Sequence, residues 1–415
     1  MRFLGALLPP QRITRREAAI LGLFAVIAFA QGWTGTVVTH ALPFVQDDLG
    51  LSDAEIFDLM ALIRAAALLA LGLSWWGDHR GRRRPLLVAF ALLTTANLAT
   101  ALVPGTTAFT GFQALARVGT VAIGSLALVV LAEEIGPRVR GYAIGLFALC
   151  GSLGTGLGLT LRPLGGTGDG WRMLFAISAL PLLATPFLIR RLRESRAFQA
   201  GAVRPPLAAV FRRGHAGRFW PMAVLAFALS AFTAPAANLA LVRLENSLGW
   251  SPASASLLLA LTSAPGVTVG LLAGGRMADV IGRRPTEMIS IILGVGGGVA
   301  FYFVDTGPVL GIGILLSTLG ASAFTPAFAS HRSELFPTDL RATASAWIVN
   351  AGVLGALTGF AAGRFVVAAW GIPTTIAVLG GFLLAASATI LALPETRGIS
   401  LFGTAPIEPP AATPG

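Results

Sequence analysis

The chain has 415 residues, 55% of them hydrophobic and only 12% charged, and its mean hydropathy is +0.77. A water-soluble chain carries roughly twice that share of charge, so the composition argues against a soluble globular fold and for helices solvated by lipid. The net charge of +11 comes from 30 basic residues, all arginine, placed mostly in short loops between apolar runs; that placement points to membrane topology and away from nucleic acid.

In chain order, Arg12, Arg15 and Arg16 lead directly into a long apolar run. No separate cleavable signal is expected there, and the run reads as a retained first span. A spanning helix needs about 20 mostly apolar residues. In the first half such runs lie near 18–42, 56–76, 86–104, 108–132, 142–162 and 172–190. Residues 191–218 are polar, rich in arginine and carry Pro205-Pro206, which marks a linker. In the second half the runs lie near 219–242, 254–275, 287–304, 308–330, 342–367 and 372–393. The expected fold is an all-α membrane protein with twelve transmembrane helices in two six-helix pseudo-repeat bundles around a central cavity. The expected divisions are 1–190, the linker 191–218, 219–400 and a tail, 401–415. Cys150 is the single cysteine, so no internal disulfide is possible, and it reads as a small packing residue.

Arginine placement sets the orientation. One set of loops holds Arg80 to Arg84, Arg138, Arg140, the linker arginines, Arg276, Arg283, Arg284, Arg332 and Arg341. The opposite loops hold Asp47, Asp48, Asp53, Glu55, Asp169, Glu245 and Asp305 with few arginines. Both termini are expected in the cytoplasm of a cell carrying the protein in its inner or plasma membrane, and an even number of spans agrees.

The two halves repeat each other. Leu49-Gly50-Leu51-Ser52 recurs as Leu248-Gly249-Trp250-Ser251, and Asp78-x-x-Gly81-Arg82-Arg83 as Asp279-x-x-Gly282-Arg283-Arg284. Glu134-x-x-Pro137 recurs as Glu334-x-x-Pro337, followed by Arg140 and Arg341. Gly151, Gly154 and Gly158 recur as Gly352, Gly355 and Gly359, and Leu192-Arg193-Glu194-Ser195-Arg196 as Leu393-Pro394-Glu395-Thr396-Arg397. Every offset lies between 199 and 201 residues. Two parallel halves in an apolar chain suggest a solute carrier. The glycines, spaced by three and four, share a helical face and let helix backbones approach closely.

Gly77-Asp78-His79-Arg80-Gly81-Arg82-Arg83-Arg84-Pro85 resembles the signature loop of the major facilitator superfamily, and its copy joins spans eight and nine. A single such loop is also what a positive-inside loop looks like; two copies at matching places favour the family. Glu134-Ile135-Gly136-Pro137-Arg138-Val139-Arg140 is similar to that family's acidic–proline–arginine junction. The segments at Glu194 and Glu395, and Gly170-Trp171-Arg172, resemble the sugar-porter and metabolite-symporter branches. The run at span five lacks the Gly-Pro pair of proton-driven drug antiporters in the superfamily. The resemblance implies an ion-pair network that closes and opens the cytoplasmic side. Its acids would be Asp78, Glu134, Glu194, Asp279, Glu334 and Glu395, and its partners Arg82, Arg140, Arg196, Arg283, Arg341 and Arg397. Fixing loop shape alone is the plainer role for any one pair.

Arg64 in span two and Arg117 in span four are the sharpest candidates for solute binding. They lie at matched depth, no Asp or Glu of the first half lies at that depth, and their repeat equivalents are the neutral Ser263 and Ser317. Charge inside a membrane is costly and marks pathways; a guanidinium holds a carboxylate or phosphate through two parallel hydrogen bonds. The alternatives are a structural role for Arg117 against helix carbonyls or water, and pairing of Arg64 with Asp58 or Glu55. Gln31, Trp33 and Thr36 in span one, Asn238 in span seven and Asn350 in span eleven are further cavity candidates or, alternatively, helix-packing residues. His40 is read as interfacial, and Glu133, Glu134, Asp47, Asp48, Asp58 and Glu245 lie near the membrane faces. A coupling proton is therefore an expectation of the resemblance, with no acid clearly mid-membrane to carry it.

No ATP-binding loop, metal-ligand spacing or nucleophile–base motif occurs, so neither a cofactor nor an enzymatic reaction is expected. The leading reading is a monomeric secondary or facilitative transporter, set in a lipid bilayer, that moves a small organic, anionic solute by alternating access. The alternatives are an exporter of hydrophobic compounds and a solute sensor that does not transport.

Overall fold

A computed structural model describes residues 13–136, 139–165, 170–195, 210–211 and 213–397. Among them there is helix and no strand. The first half contains α1 (Arg15–Asp48), α2 (Asp53–Arg80, with a 3-10 turn at Ala67–Leu69), α3 (Arg83–Thr100), α4 (Thr106–Glu134), α5 (Arg140–Leu161) and α6 (Gly170–Arg191, with a 3-10 turn at Leu180–Ala184). In the second half, α7 (Arg213–Asn238) runs on through Ala240–Val242 into a π turn at Arg243–Ser247. It is followed by α8 (Pro252–Val280), α9 (Arg283–Phe303) and α10 (Gly307–Leu335). The stretch Thr338–Ser387 is broken at Gly371 (φ 76, ψ 176) into α11 (338–370) and α12 (372–387).

Ten of the described helical segments are long and apolar enough to cross a membrane. The last of these holds the Gly371 break and so counts as two. The 18-residue α3, whose first turn carries two arginines, lies outside that set, and the described helices are consistent with the expected twelve. Hydrogen-bonding caps set the starts of α1 and α2. The Thr14 hydroxyl accepts from Glu17 N while the Glu17 carboxylate accepts from Thr14 N at 3.0 Å, and Ser52 with Glu55 repeats the arrangement.

The helices expose large apolar side chains such as Leu183, Leu261 and Phe365, a cost in water and no cost in lipid. The protein is an integral membrane protein. Between helices the packing rests on small residues. A Cβ at Gly32 of α1 would overlap the Gly151 backbone of α5, and one at Gly154 of α5 would overlap the Phe29 carbonyl of α1. The repeat places Gly355 of α11 against the Phe227 carbonyl of α7 in the same way.

The contacts divide the chain into two compact units. Unit 1 comprises Met1–Val203, Ala234–Ala260 and Ala356–Thr375; unit 2 comprises Arg204–Thr233, Leu261–Gly355 and Ile376–Gly415. Unit 1 is built on α1 against α5 and α3 against α4, with Phe24, Ile27, Phe90, Leu93, Ile123 and Leu131 in its core. Unit 2 is built on α9 against α10.

Candidate functional site

Unit 1 contains a small cavity. It is lined from α1 by Thr34, Gly35, Val38 and Thr39, from α2 by Met60, Ile63 and Arg64, and from α4 by Gln113, Ala116, Arg117 and Thr120. On each helix these residues recur at intervals of three and four, so each contributes one face. Arg64 and Arg117 both reach it. The Nε of each is buried and has no hydrogen-bond partner. No carboxylate lines the cavity among the described residues. The acids near Arg64 in sequence are engaged elsewhere: Asp58 pairs with Arg364 at 3.1 Å, and Glu55 caps Ser52. Two guanidinium groups are thus held partly out of water with no counter-charge. Leaving a buried charge unpaired costs several kcal/mol, and an anion between them removes that cost.

A polar chain backs this wall. Gln113 Nε2 donates to Thr100 Oγ1 at 2.8 Å and to Asn97 Oδ1 at 3.3 Å, while Asn97 Nδ2 donates to the Leu93 carbonyl at 2.9 Å. Thr34 Oγ1 donates to the Ser178 carbonyl at 2.8 Å. These bonds fix Gln113 and Thr34 before any solute arrives. Sequence reading missed Gln113 and Asn97, because an amide in an apolar helix does not announce which face it occupies.

The other candidates are distributed differently. Gln31 Nε2 donates to the Thr120 carbonyl at 2.8 Å, one layer behind the cavity. Asn238 Oδ1 accepts from Thr39 Oγ1 at 2.7 Å, so it holds a lining residue without lining the cavity itself. Trp33 faces a separate space of about 250 Å³ with His40, Gly158 and Leu174, and Thr36 bonds back to the Gly32 carbonyl. Helical phase turns both away from the arginines. In unit 2, Ser317 lines an apolar cavity of about 270 Å³ with Phe232, Ser290 and Phe324. Asn350 Nδ2 returns to the Ala346 carbonyl, and Ser263 lies half-buried on α8, outside that cavity.

The two arginine-rich turns have parallel geometry. Gly81 (φ +99) and Gly282 (φ +110) turn in the left-handed region, and a Cβ at either would overlap the carboxylate of Glu194 or Glu395. Glu194 accepts the amides of Arg82 (2.7 Å) and Arg83 (3.3 Å); Glu395 accepts those of Arg283 (2.8 Å) and Arg284 (3.1 Å). Burial alone would raise the Glu395 pKa. The backbone N–H groups of Arg283, Arg284, Arg397 and Thr396 outweigh it and hold the carboxyl below the usual carboxylate range. The Arg283 side chain bonds Asp279 (2.7 Å) and Glu334 (2.9 Å).

In unit 1, Arg82 meets Asp78 (3.4 Å) and Glu133 (2.9 Å), whereas Glu134, the acid expected from the motif, pairs with Arg16. Glu133 therefore occupies the place that Glu334 holds in the repeat, one residue from the motif-based alignment. Arg341 Nε is buried with no hydrogen-bond partner, and Arg397 contributes its backbone amide to Glu395. Arg196 and the Arg140 side chain lie outside the described residues.

Two further pairs were not legible as such in the sequence. Arg162, fully buried after α5, pairs with Glu245, donates to the His40 carbonyl at 2.6 Å and stacks on Phe44. Its position at the end of an apolar run had read as a boundary. In unit 2, His331 Nδ1 lies 3.0 Å from Glu287 Oε1, with both side chains fully buried.

Against known proteins, the family model described as Major Facilitator Superfamily matches residues 24–245 and 223–405. The chain is 27% identical to a gallate transporter of Pseudomonas putida over 91% of this chain and 92% of that one. It is 28% identical to a 3-(3-hydroxy-phenyl)propionate transporter of Escherichia coli K12, covering 77% and 79% of the two chains. Among solved structures, a bacterial homolog of the human lysosomal transporter Spinster in an inward-facing, unoccupied conformation superposes with a TM-score of 0.78 at 16% identity, covering 92% of this chain and 98% of that one. A D-xylose-proton symporter superposes with a TM-score of 0.74 at 20% identity, covering 92% and 99%. Two matched repeats, twelve helices and a family match over both halves lead to one conclusion: the chain belongs to the Major Facilitator Superfamily, and its function is the transport of a small organic solute across a membrane.

Proposed function

We propose that the solute is a hydroxylated aromatic carboxylate, bound in the unit 1 cavity by Arg64 and Arg117. The observation that carries this reading is the pair of guanidinium groups whose Nε atoms are buried without partners in a cavity that has no acid among the described residues. One guanidinium grips the carboxylate by its two-pronged geometry; the other, with Gln113, Thr39 and Thr120, meets ring hydroxyls. Met60, Ile63 and Val38 supply apolar walls for the ring. The names of two relatives, gallate transporter and 3-(3-hydroxy-phenyl)propionate transporter, support the same chemical class.

In this reading the protein is a monomer of the inner or plasma membrane with both termini in the cytoplasm, and it transports without catalysing a reaction. The ion-pair clusters at the Gly81 and Gly282 turns act as the cytoplasmic gate. Arg82 and Arg283 are largely buried within these clusters, so breaking their pairs is costly, enough in combination to bias a conformational gap of a few kcal/mol.

Uptake into proteoliposomes tests the proposal. Gallate and 3-(3-hydroxyphenyl)propionate should be accumulated or exchanged, and neutral myo-inositol should not; a pH gradient applied in parallel reports proton coupling. Transport of the polyol in preference to both acids would refute the solute class. For orientation, a cysteine at Asp305 should react with an impermeant thiol reagent from outside, and one at Arg80 should not.

A further inference from the structure

The Glu287–His331 pair lies in unit 2, one turn inside α9 and in the last turns of α10. Both side chains are fully buried, and His331 Nδ1 is 3.0 Å from Glu287 Oε1. The second imidazole nitrogen, Nε2, lies 3.0 Å from the Pro394 carbonyl and can only donate to it. That bond leaves Nδ1 and Oε1 sharing a single proton. The second carboxylate oxygen, Glu287 Oε2, is buried with no hydrogen-bond partner. The pair therefore has one proton in place and one open position for another.

Repeat symmetry isolates the feature. The structural offset of 201 residues, which pairs Glu133 with Glu334, places Leu86 opposite Glu287 and Val130 opposite His331. Both are buried in the unit 1 core. The fold thus closes the same corner with two apolar side chains in one repeat and with an acid and a base in the other. An ion pair is not needed for stability there, since a buried pair seldom outperforms apolar packing of similar volume.

The pair is also wired to the neighbouring clamp. Pro394 precedes Glu395, which accepts the amides of Arg283 and Arg284, and Thr396 Oγ1 donates to Glu334 at 2.5 Å. The charged groups that face the pair are Glu395 after α12 and Arg284 at the start of α9. Around them stand Arg283 with Asp279 and Glu334, Arg332 on α10, and Arg218 of α7 on the Leu335 carbonyl.

We propose that Glu287 and His331 form a proton-binding site, present in the second repeat and replaced by the apolar Leu86 and Val130 in the first, whose occupancy sets whether the 393–397 segment stays clamped on the Gly282 turn. With one shared proton the pair is neutral overall and His331 holds the Pro394 carbonyl. A second proton, taken from water onto Glu287 Oε2, leaves a buried imidazolium beside a neutral acid, a net charge of one. Loss of the shared proton to water leaves a carboxylate facing an imidazole lone pair. Either change places an uncompensated charge in the interior, and moving the 393–397 segment so that water enters relieves it. The site therefore responds to pH on the side of the membrane that carries the arginine-rich turns.

The probe is the proton itself, applied by buffer to the full chain in detergent. A nitroxide at Arg397→Cys, in a Cys150→Ser background, reports mobility of the segment by line shape. ¹⁵N resonances of His331, assigned by comparison with His331→Asn, report its protonation. In the wild-type sequence the nitroxide should mobilise in step with the His331 resonance across the range in which histidine titrates. In Glu287→Leu/His331→Val, which installs the first repeat's apolar residues, that pH dependence should be lost. Glu287→Gln decides the matter if the double variant does not fold: the midpoint should move by at least about one pH unit, a tenfold change in proton affinity. A line shape independent of pH in the wild-type chain overturns the proposal. An unchanged dependence in the folded double variant, or an unmoved midpoint in Glu287→Gln, does so too and assigns the titration to Glu395 or Glu334.

Discussion

The guanidinium of Arg162, at the end of α5, is ion-paired with the carboxylate of Glu245, in the π turn that ends α7, and Arg162 has no exposed surface. The residues are 83 positions apart in the sequence, and both belong to unit 1. The surroundings add the His40 carbonyl, the Pro252 carbonyl at 3.3 Å and the Phe44 ring with its centroid 4.5 Å away. Nearby, Asn246 Nδ2 donates to Gln46 Oε1 at 2.8 Å and Asp47 Oδ1 at 3.0 Å. Charge and polar contacts tie this corner of unit 1.

Removing one partner should therefore be worse than removing both. Glu245→Leu or Arg162→Leu alone should destabilise the protein in detergent by about 3–5 kcal/mol, the usual cost of stranding a buried charge. The double leucine variant should recover most of that loss. Thermal unfolding followed by size-exclusion chromatography measures the cycle, and additive losses would show that the two side chains act independently.

In the cavity, Arg117→Lys keeps the charge and loses the planar fork. It should weaken gallate transport, and Arg117→Gln should weaken it further, by about tenfold or more for a charge-assisted bond worth about 1.5–3 kcal/mol. Arg64→Gln should act in the same direction. Binding of the neutral ester methyl gallate should change little in any of these variants. Equal losses for acid and ester would show that the arginines hold the helices and do not hold the solute.

At the arginine-rich turns, Gly282→Ala should cost more than Gly50→Ala. Both glycines have positive φ, but nothing approaches a Cβ at Gly50, whereas one at Gly282 displaces the Glu395 carboxylate. Gly282 also has ψ 165, a region essentially restricted to glycine, so Gly282→Ala combines backbone strain of about 1–3 kcal/mol with loss of the clamp. Melting temperatures of the two variants in detergent should differ in that order, and similar values would mean that the Glu395 contacts contribute nothing.

The same carboxylate sets a pH dependence with a defined sign. Its folded pKa lies below its unfolded value because four backbone amides favour the charged form over the opposing effect of burial. Its stabilising contribution is complete above the unfolded pKa and is lost as the pH falls through the depressed folded pKa. Exchange protection of the Arg283 and Arg284 amides, corrected for intrinsic rate, should fall on the acid side of the usual carboxylate range. Glu395→Gln should abolish that acid-side loss; if the loss persists, another group is titrating.

Much of the molecule was legible in the amino-acid order because the signals are local. Each of the twelve apolar runs lies on helix, the Gly371 break falls between the eleventh and twelfth, and the repeat marks locate both turns. A charge in an apolar run is conspicuous without knowledge of its neighbours, which is how Arg64 and Arg117 could be singled out. What only the tertiary structure decided is which side chains meet. Successive residues on a helix point about 100° apart, so a one-residue difference moves a side chain to another neighbour. That is why Arg82 takes Glu133 while Glu134 takes Arg16, and why Gln113 lines the cavity while Trp33 faces elsewhere. Arg162–Glu245 and Glu287–His331 are 83 and 44 residues apart in sequence. No local pattern relates the members of either pair; helix packing brings them together, and burial makes each depend on the other.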